Sequence, residues 1–122
     1  DEFDAFLDKV FKHRPFLPRP VLNVYADRVI ARADDWNVAM DALKAPDQRY
    51  GLVDALPSLD MPSLVLWCRD DRVLDVSSVK VFGLPNERVV VFDDCGHMPI
   101  MERPRDTADA LAALWRSVYA AN

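Results

Sequence analysis

Cysteine is scarce in this sequence: Cys68 and Cys95 are the only two in 122 residues. Two are too few for a disulfide scaffold, and their positions lack metal-ligand spacing. The reading they support is a pair of reduced, buried thiols in a reducing compartment. Long apolar runs are also missing. None approaches the roughly 20 residues that span a bilayer, and no basic-then-apolar signal segment opens the chain. An excess of positive charge is absent as well: 15 basic against 20 acidic residues leave a net charge of −5. The arginines alternate with acids, as in Arg69-Asp70-Asp71-Arg72 and Glu102-Arg103-Pro104-Arg105-Asp106, and build no face of one sign. Both facts argue against a nucleic-acid partner. The first residue is Asp1 and not Met, which sets the expectation of a piece of a larger protein.

What is present is ordinary globular material. Apolar residues make up 51% and charged residues 29% of the chain, unlike a disordered tail. Its length suits one domain, or part of one, since domains usually run about 100–150 residues. The first part is helical in pattern. Phe3, Phe6, Leu7, Val10 and Phe11 recur at spacings of three and four, the stripe of an amphipathic helix. Prolines at 15, 18 and 20 break it, because proline removes a backbone donor and restricts the residue before it. Pro20 suits the first turn of a second helix with the stripe Val21, Tyr25, Val29 and Ile30. Asp34 or Asp35 is placed to cap a third helix that ends near Leu43. Residues 44–62 read as a connector with a helical turn near Leu52–Leu56, punctuated by Pro46, Gly51, Pro57 and Pro62.

The period then changes. Ser63-Leu64-Val65-Leu66-Trp67 and Arg88-Val89-Val90-Val91-Phe92 are short, continuous apolar runs, expected as strands buried on both faces of a parallel sheet. Val76–Phe82 reads as a helix between them, and Pro104–Tyr119 as a last helix with an apolar face at Ala108, Leu111, Leu114, Trp115 and Val118. Strand, helix, strand, helix is α/β organisation. Two parallel strands leave both sheet edges open, so this part reads as the edge of a larger sheet. Exposed edges and apolar helices also favour self-association.

In open α/β sheets, catalytic groups collect beyond the carboxyl ends of the strands. Asp70, Asp71 and Asp75 follow the first run; His97 follows the second. An acid followed by a histidine on neighbouring loops is what a nucleophile–acid–histidine triad needs from its last two members. His13, flanked by Arg14 and prolines, reads as a surface residue, and Glu102 as one that fixes its loop.

These segments resemble the α/β-hydrolases. The run from Ser63 through Trp67-Cys68-Arg69-Asp70-Asp71 to Arg72-Val73-Leu74-Asp75-Val76-Ser77 looks like the family's strand followed by Gly-x-x-Asp. Gly96-His97-Met98-Pro99-Ile100-Met101-Glu102-Arg103-Pro104 looks like its Gly-His-x-x-x-x-Glu-x-Pro segment. The likeness is strongest to monoacylglycerol-lipase-like serine hydrolases and covers nearly the whole chain. It implies the C-terminal part of an α/β-hydrolase fold: a helical cap segment over 1–45, a connector over 46–62, and the core edge over 63–122. Residue by residue it implies Asp71 as the triad acid and His97 as the base, with Asp70 and Asp75 as the rival acids, and no cofactor or metal.

Two departures stand out. Cys68 occupies a position where the family usually has Gly. More important, no Gly-x-Ser-x-Gly nucleophile elbow occurs; the chain has three glycines, and none flanks a serine in that way. Ser58, Ser63, Ser77, Ser78 and Ser117 read as turn, cap or surface residues. The expectation is therefore a carboxylic-ester hydrolase acting on an ester with an apolar acyl chain, of which this chain supplies the acid and the histidine and is inert alone. The same fold also serves C–C bond hydrolases, dehalogenases and epoxide hydrolases, and a stand-alone self-associating module is the reading outside enzymes. No compartment is assigned; a cytoplasmic and a membrane-associated parent both fit.

Overall fold

The computed structural model describes residues 2–45 and 51–120. In chain order the elements are α1 (Glu2–Val10), α2 (Arg19–Ala31), α3 (Ala33–Lys44), α4 (Gly51–Ala55), β1 (Ser63–Cys68), β2 (Glu87–Phe92), α5 (Pro99–Glu102) and α6 (Pro104–Tyr119). Short 3-10 segments occur at Leu56–Ser58 and Val76–Val81. Contacts divide the chain into two units. One joins the residues up to Pro15 to those from Leu56 onward; the other is Phe16–Ala55. Contacts thus group α1 with the strands, whereas the expected cap segment ran over 1–45. Residues 46–50 of the expected connector lie outside the described residues.

In the first unit, two runs rich in Val, Leu and aromatic residues pair as parallel strands, the residue types that fit a pleated, half-buried surface. The register runs from Ser63 opposite Glu87 to Cys68 opposite Phe92. The expected burial on both faces is not found. Only Val65 and Cys68 are buried along β1, and Val89 of β2 is 40% exposed. Burial on both faces needs a layer against each face, and the sheet has two strands among the described residues. The crossover is a 3-10 segment where an α-helix is expected; Asp75 caps it by accepting from the Ser77 N–H at 2.9 Å.

The core consists of Leu7, Val10 and Phe11 from α1 and the residue after it, Val65 and Cys68 from β1, Cys95, and Thr107 and Ala110 from α6. Pro104 starts α6, its fixed φ suiting the first turn and its missing N–H costing nothing there. The buried side of α6 is Thr107 and Ala110, while Leu111 and Trp115 of the expected apolar face are 51% and 63% exposed. Leu114 and Val118 of that face are half-buried, and at its start α6 meets α5 through the Thr107 hydroxyl, which donates to the Pro99 carbonyl at 3.2 Å. Trp115 and Tyr119, one turn apart on the outer side, hold their rings 4.1 Å apart.

In the second unit, Pro20 lies in the first turn of α2, as its fixed φ favours. Asp34 and Asp35 do not cap α3. They lie inside its first turn, where carboxylates oppose the positive end of the helix dipole. No residue of α2 or α3 is buried. No helix among the described residues is long and apolar enough to cross a membrane.

The cysteines correct the expectation of free thiols: Cys68 and Cys95 form a disulfide. Parallel register explains it. Cys68 ends β1 opposite Phe92, and the chain turns back after Phe92 to bring Cys95 to a Cα–Cα distance of 5.3 Å, within the span a disulfide bridges. The reducing-compartment inference rested on free thiols and falls with them. A crosslink across a sequence separation of 27 residues restricts the unfolded chain by about 3–4 kcal/mol on the chain-entropy model. Urea unfolding with and without a thiol reductant is expected to show a loss of about that size; a loss below about 1 kcal/mol would contradict it.

Candidate active site

Asp71 and His97 meet beyond the ends of the two strands. The Asp71 side chain is only 5% exposed, so both its oxygens need partners. Oδ1 accepts the Val73 and Leu74 N–H groups at 2.8 and 2.9 Å. Oδ2 lies 2.8 Å from Nδ1 of His97. An ionised carboxylate only accepts, so Nδ1 carries the proton of this bond and Nε2 is the ring atom left to take another. Burial pushes the Asp71 carboxyl up, but the Leu74 N–H, the His97 ring and the Val73 N–H together hold it below its ordinary value. The pair is thus a fixed carboxylate aligned on an imidazole side chain that is one third exposed (33%).

The histidine loop is held from beneath. His97 donates its backbone N–H at 2.7 Å to the carbonyl of Val10, the last residue of α1. Gly96 has no alternative at its position: a Cβ there would lie 2.7 Å from both the Lys12 nitrogen and the Val10 oxygen. Glu102 gathers three backbone donors, Gly96 N–H on Oε1 at 2.8 Å and the Lys12 and His13 N–H groups on Oε2 at 3.0 and 2.9 Å. The residues just after α1 and the histidine loop are thereby fastened to one carboxylate.

The rival acids stand elsewhere. Asp70 pairs with the Lys12 ammonium at 2.6 Å, and Asp75 caps the 3-10 segment. His13 forms a second histidine–carboxylate contact, Nε2 to Asp94 Oδ1 at 2.9 Å, but both side chains are about 60% exposed (61% and 60%). Asp94 has a φ of 59°, a left-handed conformation that Asp tolerates better than most residues. Lys12 also reaches Asp94 at 3.0 Å; its hydrogen bonds to Asp70 and then Asp94 raise its pKa against the opposing effect of burial. Nothing in the sequence singled out Lys12. The only signal for the disulfide was a cysteine near the end of each predicted strand. No group of three or more His, Cys, Asp or Glu side chains among the described residues is arranged to hold a metal ion.

A carboxylate bonded to Nδ1 sets the tautomer and orientation of an imidazole and stabilises its cation, which suits the ring to accept a proton from a nucleophile and return it to a leaving group. Two parallel strands with an acid and a histidine beyond their carboxyl ends, flanked by helices, are consistent with the C-terminal part of an α/β-hydrolase fold. The model of the alpha/beta hydrolase family matches residues 2–110, and the chain belongs to that family. It is similar to the monoacylglycerol lipase of Rattus norvegicus, with 29% identity over 84% of this chain and 31% of the relative. It is also similar to a 2-hydroxy-6-oxononadienedioate/2-hydroxy-6-oxononatrienedioate hydrolase of a Pseudomonas species, 31% identical over 72% of this chain and 32% of the relative. Among solved structures it resembles a membrane phospholipase A described as a bacterial virulence factor, with a TM-score of 0.84 and 38% identity over 96% of this chain and 38% of that one. The chain spans about a third or less (22–31%) of the length of the monoacylglycerol lipases it matches.

The lowered Asp71 value has a consequence for stability. An unfolded Asp titrates near about 3.9, so the stabilisation from Asp71 is fully present above about pH 5 and is lost as pH falls through the lower folded value. The difference in unfolding free energy between the chain and Asp71→Asn is expected to shrink on going from about pH 6 to about pH 2.5. A difference that does not change with pH would contradict the assignment.

Proposed function

We propose that this chain supplies the acid and the base of a serine-hydrolase triad, acting on a carboxylic ester with an apolar acyl chain such as a monoacylglycerol. The observation that carries the reading is the 2.8 Å bond from His97 Nδ1 to an Asp71 carboxylate whose other oxygen is taken by two backbone donors. Such a pair needs a nucleophile, and no serine here lies in a Gly-x-Ser-x-Gly turn. In the proposal the serine comes from a segment of the same protein outside this sequence. His97 Nε2 takes the serine proton as the hydroxyl oxygen attacks the ester carbonyl, and Asp71 stabilises the imidazolium. Backbone donors of the missing segment hold the oxyanion. His97 then protonates the departing alcohol, and a water activated by the same nitrogen releases the acid. Relatives named monoacylglycerol lipase and phospholipase A support a lipid ester as the substrate. The Pseudomonas relative favours, as a second reading, C–C bond hydrolysis by the same acid–histidine pair.

Ester hydrolysis by the parent protein and by the 122-residue chain alone tests the reading. The parent is expected to turn over a monoacylglycerol, with kcat falling by on the order of 10⁶ in His97→Ala and about 10⁴ in Asp71→Asn. The chain alone is expected to show no turnover above buffer. Turnover by the chain alone that His97→Ala abolishes, or a parent indifferent to His97→Ala, would overturn it. Cleavage of a vinylogous diketone in place of the ester would select the second reading.

A further inference from the structure

We propose that the Cys68–Cys95 disulfide is a permanent positioning lock on the Asp71–His97 pair, holding the acid loop and the histidine loop at one separation through the reaction; it rests on the reading of that pair as the acid and base. The crosslink joins the two loops close to the chemistry, three residues before Asp71 and two before His97. The other links between the loops are non-covalent: Arg69 N–H to the Phe92 carbonyl at 2.9 Å, Asp70 N–H to the Cys95 carbonyl at 3.2 Å, the exposed Arg69–Asp93 ion pair, and Lys12 bridging Asp70 and Asp94. Asp71 N–H turns back to the Cys68 carbonyl at 3.3 Å, so the acid is tied to the half-cystine itself. Gly96, next to Cys95, leaves no room for a Cβ against Val10 and Lys12. The histidine loop is therefore fixed on one side by α1 and on the other by sulfur.

With five residue steps and one S–S bond between Asp71 and His97, the crosslink is the shortest covalent path between acid and base and limits how far their loops drift apart. That matters because a displacement of about 1 Å in a catalytic group costs on the order of 10²-fold in rate. Burial makes the lock permanent. Cys68 and Cys95 are 1% and 0% exposed, and thiol–disulfide exchange requires a thiolate to reach a sulfur. A dithiol that did reach it would break the S–S bond, leave two protonated thiols on the chain and depart as its own cyclic disulfide.

The test reads the His97 ring directly and needs no nucleophile. In a ¹⁵N spectrum of the oxidised 122-residue chain, the neutral ring is expected as one tautomer, protonated on Nδ1, with that proton protected from exchange. In Cys68→Ala/Cys95→Ala, still giving a dispersed amide spectrum, Nδ1–H exchange is expected to rise at least about ten-fold and both tautomers to appear, as in an Asp71→Asn control. In the parent, kcat is expected to fall about 10- to 100-fold with KM within about two-fold. A folded double variant that keeps the native tautomer and exchange rate would overturn the proposal. Should that variant not fold, reduction of the native chain by a dithiol decides. Reduction that proceeds no faster than global unfolding supports the lock, and rapid reduction with the fold intact overturns it. A parent whose ester turnover ignored His97→Ala would remove the hydrolase reading and leave the lock standing on the ring spectrum.

Discussion

Parallel pairing of β1 with β2 is the constraint from which the site follows. Parallel strands deliver their carboxyl ends to the same edge of the sheet, so the segments after Cys68 and Phe92 emerge side by side. The acid follows one strand and the histidine the other, and a bond between them needs no further element to bring them together. An antiparallel pair would have sent the two segments to opposite ends. The crossover that parallel pairing demands also explains the 26-residue separation of Asp71 and His97.

The rest of the unit satisfies and fixes what that pairing creates. A carboxylate buried as deeply as Asp71 requires partners on both oxygens, and the turn after it supplies two N–H groups while the histidine supplies a third donor. The histidine loop carries its own unpaired donors, and Glu102 collects one of them with two more from the residues after α1. Removing this carboxylate would strand three backbone N–H groups, a larger loss than any single hydrogen bond because each carries its own desolvation cost. The site is consequently held by backbone contacts from three parts of the chain, and side-chain choice matters chiefly at Gly96, Glu102 and the two cysteines.

The two strands, the last helix and the neighbourhood of Asp71 and His97 were legible because each depends on local pattern: continuous apolar runs, Pro104 at a helix start, and acidic or histidine residues immediately after a strand. Three features were not. The Cys68–Cys95 bond depends on strand register, which two isolated cysteines do not reveal. The role of Lys12 depends on α1 returning to the far end of the sheet, a contact across 58 residues with no local signature. The inner side of α6 was legible only in part: Leu114 and Val118 of the apolar face are half-buried, but the buried positions are the small Thr107 and Ala110, and Leu111 and Trp115 point outward. Burial of both strand faces was over-predicted for a related reason: an apolar strand shows what it is able to bury, not which layers are present to cover it.

In the proposed function, Asp71 and His97 are two members of a three-member site. The most direct measurement is the sequence of the coding DNA immediately upstream of the Asp1 codon. The expected result is an in-frame segment that contains an apolar strand, a Gly-x-Ser-x-Gly turn and a helix. An in-frame stop codon directly upstream, with no such segment, would contradict it and leave the acid–histidine pair without a nucleophile to serve.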